Sequence, residues 1–285
     1  MISDTEGARC DSLCIEMENA STWYSWTPEK DDRILVIQDG YDSGTMYLNT
    51  IEGEDGHFSL FATSLPCSAR EKRNRSYAGK TLNEIIQSAA MESGMDYALF
   101  GIDGQTVIPY IQQYNESCAA FLARLLRLEG ATLKCINGKY AAIGLAWAQA
   151  RAAHQTLTIL PGRRGTTHRK DGNRAKTLKV RSACASGTAT DEDADGTLDR
   201  LREDIPATDN AQAGRWARGL LLDENRQCES ICIESAFNPG LTAATRIDLR
   251  GNPATAGQWI ITEAGHDLIN MQSTAKLLRC ILSIA

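Results

Sequence analysis

The segment with the clearest capacity for chemistry is an acidic run at residues 191–196, Asp-Glu-Asp-Ala-Asp-Gly. Carboxylates stand at the first, third and fifth places (Asp191, Asp193, Asp195) and a glycine at the sixth, as in the first half of a calcium-binding loop. The twelfth place, where such a loop needs a bidentate glutamate, is Arg202, and Glu203 comes one residue too late. We therefore expect a like-charged loop tip that stays solvated, with a calcium site as the alternative.

The cysteines do not predict a zinc site. They include two pairs with a spacing of four residues, Cys10 with Cys14 and Cys228 with Cys232. On a strand this spacing puts both thiols on one face but about 13 Å apart, which is too far for one tetrahedral zinc ion. We expect these cysteines to act as small buried hydrophobic residues.

The histidines do not predict a catalytic site either. They are scattered along the chain at His57, His154, His168 and His266. The last follows Gly265 and is expected to satisfy a turn rather than to act as a base. Because the chain also lacks a nucleophile elbow and a glycine-rich phosphate loop, we predict no catalytic, cofactor-binding or metal-binding residue.

A basic cluster surrounds His168 and consists of Arg163, Arg164, Arg169, Lys170, Arg174 and Lys176. Such a cluster suits nucleic acid or an acidic protein surface. No aromatic residues are interleaved with it, so base stacking is not expected. Two interpretations stay open: a flexible exposed connection, or a docking loop for another protein. A weak ion pair between Glu116 and Arg124 is also predicted.

Length and composition limit the class of protein to which the chain can belong. The chain has 285 residues, 42% of them hydrophobic and 23% charged, which is ordinary for a soluble protein with two domains and a sizeable core. The formal charge of -6 disfavours global binding of nucleic acid. No apolar run long enough for a membrane span and no secretion signal are visible, so no membrane partner is expected. The odd number of nine cysteines favours reduced thiols made in a cytoplasm.

Residues 1–65 have the pattern of short strands. Leu13, Ile15 and Met17 alternate with polar residues, and further strand-like runs occupy 33–38, 45–51 and 57–63. Regular turn residues separate these runs, which predicts a small barrel or sandwich.

Residues 66–150 have helix-capping signals and helical periodicity as well as strand-like runs, and they predict an α+β segment with two helices. A basic linker, Arg70 to Arg75, leads to a capping box at Thr81 and Glu84. The second helix is capped by Asn115 or Ser117, has one apolar stripe and stops at Gly130. Asn137-Gly138 then predicts a tight hairpin.

Residues 151–285 are mostly strands again. Strand-like runs occupy 156–160, 176–182, 227–235, 246–249, 258–263 and 275–284. The acidic stretch 186–209 and a short helix at about 210–222, capped by Asp209 with Gln212, interrupt them. The fold class predicted for the whole chain is therefore α+β, mainly β.

The second helix and its hairpin carry a resemblance to the phage late control gene D family. The matching residues are Asn115, Glu116, Ser117, Phe121, Leu122, Arg124, Leu125, Gly130, Ala131 and Gly138. The closing part also resembles the family, with a turn at Pro239-Gly240, then Trp259 and His266. Two departures are visible. Cys118 replaces the usual Asp, and the further strand expected before Arg9 is not apparent.

This resemblance implies a structural baseplate or tail hub of a contractile injection system, similar to the hub part of type VI secretion spike proteins. It implies two small tail-tube-like β-barrels, at residues 1–65 and 151–285, around the inserted segment. It further implies a homotrimer that joins the six-fold tail tube to the three-fold spike and contacts other baseplate proteins. Such a protein is part of the virion, is assembled in the host cytoplasm and meets DNA only as passing cargo. The alternative function is a tail-associated calcium-binding or cell-wall-acting enzyme.

Overall fold

The computed structural model describes residues 1–18, 27–54 and 57–284. Its first part contains seven strands: β1 (Ile2–Thr5), β2 (Ser12–Glu18), β3 (Arg33–Ile34), β4 (Ile37–Gln38), β5 (Tyr41–Asp42), β6 (Met46–Glu54) and β7 (His57–Thr63). Strands β2, β7, β6 and β3 form antiparallel neighbours in that order. The strands predicted around Leu13 to Met17, at 45–51 and at 57–63 are confirmed, whereas the run at 33–38 is divided into β3 and β4, which pair in different sheets.

One expectation about this part is wrong, because a strand does precede Arg9. The residues of β1, Ile-Ser-Asp-Thr, have no alternation of apolar and polar side chains that would mark a strand. The strand forms because it has a partner on each side: Ile2 lies opposite Leu13 of β2 and also opposite His266 near the end of the chain.

The second part, the insert, mixes helices and strands. In chain order it contains β8 (Lys72–Thr81), α1 (Leu82–Glu92), β9 (Asp96–Phe100), β10 (Val107–Ser117), α2 (Cys118–Leu128), β11 (Ala131–Ile136), β12 (Lys139–Gly144) and α3 (Leu145–Ala150). Strands β8 and β10 form a long two-stranded ribbon, and β11, β12 and β9 form a small sheet. The apolar faces of α1 and α2 meet these strands in the largest hydrophobic core of the molecule's described part.

Local signals explain the helices of the insert. The Thr81 hydroxyl accepts from the Glu84 N–H, and the Glu84 carboxylate accepts from the Thr81 N–H at 2.8 Å, so the predicted capping box is confirmed. Ser117, rather than Asn115, caps α2 by accepting from the Ala120 N–H at 3.2 Å. Gly130 then takes the left-handed conformation that ends the helix, with φ of 70°.

The predicted basic linker is instead a strand. Residues 72–75 are the first part of β8 and pair with residues 113–117 of β10. Their charge is met at the surface: Arg73 and Arg75 both form ion pairs with Glu92 of α1. The opposite charge on α1 lets these arginines lie in a strand without mutual repulsion.

The last part contains nine strands and one helix. They are β13 (Gln155–Thr158), β14 (Thr166–Lys170), β15 (Thr177–Arg181), β16 (Ser186–Thr190), β17 (Asp199–Arg202), α4 (Asn210–Arg226), β18 (Glu229–Ala236), β19 (Arg246–Arg250), β20 (Gly257–Asp267) and β21 (Gln272–Arg279). Asp209 caps α4 as predicted, by accepting from the Gln212 N–H, but the helix runs on to Arg226. Trp216 and Leu220 of α4 pack on Leu178 and Val180 of β15.

Helix α4 also lies against the end of α2. A Cβ atom placed on Gly219 would come within 2.3 Å of the Leu128 carbonyl oxygen and 2.5 Å of the Gly130 nitrogen. The Trp216 indole N–H and the Arg215 guanidinium both donate to Glu129, which follows α2. The insert and the last part are therefore in close backbone contact at this point.

One eleven-stranded sheet unites the first and last parts. Its main order is β14-β18-β21-β20-β1-β2-β7-β6-β3, with β19 on β20 and β13 on β19. In this order β1 of the first part pairs directly with β20 of the last part, and this pairing joins the two β-rich parts. The observed fold is α+β and mainly β with four helices, and the closure of each β-rich part into a barrel stays a prediction. No helix in the described ranges is long and apolar enough to cross a membrane.

Candidate functional site

The acidic run predicted as a solvated tip is partly buried, which makes that prediction wrong for Asp191. Its carboxylate is fully buried and accepts from Arg174 through two bonds of 2.7 and 2.8 Å. Asn225 and Ser283 also donate to it, at 2.7 and 2.5 Å. Burial alone would raise the pKa of Asp191, but these hydrogen bonds lower it below its ordinary value. Asp193 and Asp195 remain exposed.

This arrangement also bears on the calcium alternative. Both oxygens of Asp191 are already taken by protein donors, so the first ligand of the presumed loop is not available to a cation. Within the ranges that the structure describes, no group of three His, Cys, Asp or Glu side chains could hold a metal ion. Asp191 instead ties together the segment before β15, helix α4 and the segment after β21.

His266 has the structural role that the sequence predicted. It is fully buried on β20, where Nε2 donates to the Leu241 carbonyl oxygen at 3.0 Å and Nδ1 accepts from the Ser273 hydroxyl at 2.9 Å. Burial lowers the pKa of His266, which favours the neutral ring that these two bonds require. The histidine thus joins the segment after the Pro239-Gly240 turn to the last hairpin.

The remaining predicted residues do not converge on one site. Glu116 and Arg124 form the predicted ion pair, with distances of 2.9 and 3.2 Å. All nine cysteines are free thiols. Cys10, Cys14 and Cys228 are half-buried, but Cys232 is exposed, so the prediction that it is a buried hydrophobic residue is wrong. His57 begins β7 and His154 precedes β13, so the two residues lie on separate elements.

The predicted flexible connection around His168 is largely ordered structure. Residues 166–170 form β14, which pairs with β18. The His168 ring lies 3.0 Å from a carboxylate oxygen of Glu229, and Arg174 belongs to the Asp191 group described above. The basic cluster is therefore divided between an edge strand and a buried ion pair.

The densest group of charges is one that the sequence did not reveal. We call it the buried ionic junction, and its members are Asp4, Glu6, Asp11, Lys134, Asp223 and Arg226. They come from β1 and the turn after it, from β11 of the insert, and from the end of α4. The junction is the place where all three parts of the chain meet.

Lys134 is the centre of the first half of the junction. Strand β11 is buried on both faces, with Leu133 and Cys135 towards the core of the insert and Lys134 on the other face. The side chains of Lys134, Asp4 and Asp11 are 6%, 8% and 4% exposed. Lys134 Nζ donates to Asp4 and lies 3.7 Å from Asp11.

Backbone groups complete the surroundings of both aspartates. Asp4 accepts from the Ala243 N–H at 3.1 Å, which links β1 to the segment before β19. Asp11 accepts from the Thr5 N–H at 2.8 Å, and its own N–H donates to the Ser64 hydroxyl at 3.1 Å. Each carboxylate thus holds a piece of backbone as well as the lysine.

Arg226 is the centre of the second half. It donates to Glu6 at 2.7 Å and to Asp223, one helical turn earlier, at 3.1 Å. Arg127 of α2 reaches Asp223 from the surface at 2.6 Å. Helix α4 is thereby fixed both to the turn after β1 and to α2.

Negative charge exceeds positive charge inside the junction. Four carboxylates face the two buried cations, and within the described chain the half-exposed Arg127 supplies a third positive charge, to Asp223. Burial raises the pKa of Asp11 to about 7, against the opposing effect of Lys134. Burial likewise raises the pKa of Glu6, although Arg226 opposes it. Burial alone would lower the pKa of Lys134, but Asp11 and Asp4 raise it, so the amine stays protonated.

Such a junction can position elements but has little capacity for bond-making. Each buried cation is already held by carboxylates, and removing one partner of a buried pair is far more costly than the pair is stabilising. The physical effect is geometric: the observed fit of β1, β11 and α4 brings each buried cation into contact with two carboxylates.

A family model recognises the insert together with the segment that follows it, up to the acidic run. Residues 63–197 match the model of the phage tail baseplate hub (GPD). This range contains the whole insert, including the capped helix α2 and its hairpin, so the resemblance predicted from the sequence is confirmed. No curated protein sequence matches the chain significantly.

Solved tail proteins share the fold over almost the full chain. A 43 kDa tail protein of prophage MuSo2 from Shewanella oneidensis has a TM-score of 0.71 and 11% identity, over 100% of this chain and 95% of that one. A tail protein from Neisseria meningitidis has a TM-score of 0.75 and 11% identity, over 99% and 93%.

An Escherichia coli component of the type VI secretion system has a TM-score of 0.63 and 12% identity, over 97% of this chain and 71% of that one. It is described as structurally similar to the bacteriophage T4 tail proteins gp27 and gp5. At these low identities the likeness establishes the fold alone, which this chain shares with these three proteins.

Proposed function

We propose that this chain is the structural hub of a contractile injection system, either a phage tail or a phage-derived bacteriocin. The observation that carries the proposal is the hub-family insert, set between two β-rich parts that β1 joins into one sheet. Each β-rich part has its own hydrophobic core, as a separate tube-like unit would need.

The proposed role is symmetry adaptation by a homotrimer. Three chains with two β-rich parts each present six units to the six-fold tail tube and keep three-fold symmetry towards the central spike. This role requires the two parts to keep a fixed relative orientation. The buried ionic junction supports it, because it holds β1, the insert and α4 in one arrangement.

The partners proposed are the tail tube protein, the spike and other baseplate proteins, with DNA only as passing cargo. The protein would belong to the virion and be assembled in the host cytoplasm. In this proposal it works by geometry and not as an enzyme, and the buried charges maintain shape.

Coexpression with the tube and spike proteins of the same tail tests this function. Native mass spectrometry of the purified complex should give three hub chains per spike trimer, with a first ring of six tube subunits. Electron cryomicroscopy should then place the two β-rich parts of each chain under two adjacent tube subunits. Six hub chains under the ring, or a single chain on the spike, would overturn the proposal.

A further inference from the structure

The outer edge of β14 is an open strand edge. This strand lies at one end of the eleven-stranded sheet, and of the strands that the structure describes only β18 pairs with it. Thr166 lies opposite Ile233, and Lys170 lies opposite Glu229. An open strand edge of this kind is a template for an added strand.

The flanking hydrogen bonds show which backbone groups face outward. The Glu234 N–H donates to the Gly165 carbonyl oxygen at 2.8 Å, and the Asp171 N–H donates to the Cys228 carbonyl oxygen at 2.6 Å. Hydrogen-bonded and non-hydrogen-bonded positions alternate in an antiparallel pair, so residues 165, 167, 169 and 171 face β18. The N–H and C=O groups of Thr166, His168 and Lys170 therefore point away from it.

The same edge is basic on a chain that is acidic overall. Its exposed cationic side chains are Arg163, Arg164, Arg169 and Lys170. They outnumber the three nearby carboxylates, which are Asp171 at 3.8 Å from Arg169, Glu229 beside His168 and Glu234 beside Gly165. The chain as a whole has a formal charge of -6. This local reversal of charge favours an acidic segment at the edge.

Space for the side chains of such a segment lies beside β14. Thr167 and Arg169 point to one face of the sheet, where two grooves of about 340 and 610 Å³ lie next to each other. Both grooves include Lys276, and the larger one also includes Arg9. The same grooves also include Glu6, Glu234 and Glu263, so the excess of positive charge belongs to the strand edge and not to that face.

A second copy of this chain is a poor occupant. Pairing of two β14 edges would bring the same four cations of both copies together, which is destabilising. The strand at the other end of the main sheet order, β3, has only two residues and is too short to pair along the five residues of β14.

We propose that the β14 edge binds an acidic, extended segment of a different protein by strand addition. Carboxylates of that segment would pair with Arg163, Arg164 and Arg169, while its backbone would bond to Thr166, His168 and Lys170. The statement that the partner protein belongs to the same tail rests on the proposed function. The binding chemistry does not depend on that function, so it can be tested on the isolated chain.

The test uses labelled synthetic peptides of about twelve residues and fluorescence anisotropy. An alternating Thr-Glu peptide should bind, and its affinity should fall about tenfold or more between about 50 and 300 mM salt. An alternating Thr-Lys peptide should not bind, and an acidic peptide with proline at every third residue should bind at least about tenfold more weakly, since proline cannot complete a ladder.

A pair of variants separates backbone pairing from charge. Lys170→Pro removes an outward N–H that the β14–β18 ladder does not use, whereas Lys170→Ala removes only the charge. The proline variant should bind at least about tenfold more weakly than the alanine variant. In the unmodified chain, hydrogen exchange should show new protection of the His168 and Lys170 amides on peptide binding, which keeps the test valid if the proline variant misfolds.

Equal binding of the two acidic peptides, or no new protection at His168 and Lys170, would overturn the proposal. So would light scattering that shows the unmodified chain to self-associate and the Lys170→Pro variant not to, because the edge would then belong to a second copy. Failure of hub assembly with tube and spike, in contrast, would leave the peptide result intact.

Discussion

Replacing Lys134 with methionine tests the buried ionic junction most directly. Methionine keeps much of the lysine stem but removes the amine, so Asp4 and Asp11 stay buried without their cation. Loss of one partner of a buried pair typically costs about 3–5 kcal/mol. A protonated carboxyl avoids the buried charge, but keeping an ordinary aspartate protonated costs about 4 kcal/mol at pH 7 and about 1.5 kcal/mol at pH 5.

Lys134→Met should therefore lower the free energy of unfolding by about 4 kcal/mol at pH 7 and by about 2 kcal/mol at pH 5. Urea unfolding followed by circular dichroism at both pH values measures this. Lys139→Met is the matched control, because Lys139 is exposed on the neighbouring strand β12 and its loss should change stability by no more than about 0.5 kcal/mol.

A triple variant checks the cause. Asp4→Asn and Asp11→Asn together with Lys134→Met leave no charge in this half of the junction, while the asparagine side chains can still accept the backbone bonds. The triple variant should regain much of the stability that Lys134→Met loses. A Lys134→Met protein within about 1 kcal/mol of the parent at pH 7, or a loss equally large at pH 5, would refute the reasoning.

Three further outcomes are expected. Because the pKa of Asp11 is about 7 when folded and 3.8 is its reference value, its protonated form stabilises the fold and that contribution is lost as pH rises through 7. Between pH 8 and pH 6 the free energy of unfolding of the parent should thus rise by about 1 kcal/mol relative to that of an Asp11→Asn variant, as measured by urea unfolding. A relative fall over the same pH interval would contradict the raised pKa of Asp11. Gly219→Ala should destabilise the fold by about 2 kcal/mol, because its Cβ meets the backbone at the end of α2. Gly214→Ala on the same helix is the control: it has open space and should stabilise the fold by up to about 1 kcal/mol. Similar effects of both substitutions on urea unfolding would count against the close contact. Millimolar calcium should leave the melting temperature unchanged and Asp191→Asn should lower it, while a rise of several degrees with calcium would show that the acidic run binds the ion after all.

Elements with local signals were predictable from the sequence. The capping box of Thr81 and Glu84, the cap at Ser117, the stop at Gly130 and the Asn137-Gly138 turn all depend on residues within a few positions of each other. Each signal acts through the backbone nearby, so it works without knowledge of the rest of the fold.

Elements that depend on distant partners were not predictable in this way. Strand β1 has only four residues and no alternating pattern, and it forms because β2 and β20 flank it. In the sequence, the basic start of β8 resembles a linker. Only the fold shows that Glu92 of α1 lies beside it and balances its charge. In both cases the stabilising neighbour lies elsewhere in the chain.

The buried ionic junction was missed for the same reason. Asp4 and Lys134 are separated by 130 positions, and Glu6 and Arg226 by 220. One local signal was available: Lys134 is a lone cation in a strand that is otherwise apolar or small. A lysine in such a place requires buried carboxylates, although the sequence does not say which ones.

The pairing of β1 with β20 also has a consequence for biosynthesis. Ile2 meets His266, so the second edge of β1 cannot be covered until residue 266 has left the ribosome. Asp4 and Glu6 are synthesised well before Lys134 and Arg226, so both carboxylates lack their cations during that interval. Contacts of such long range form slowly, and the central sheet is therefore completed only after both β-rich parts have been synthesised.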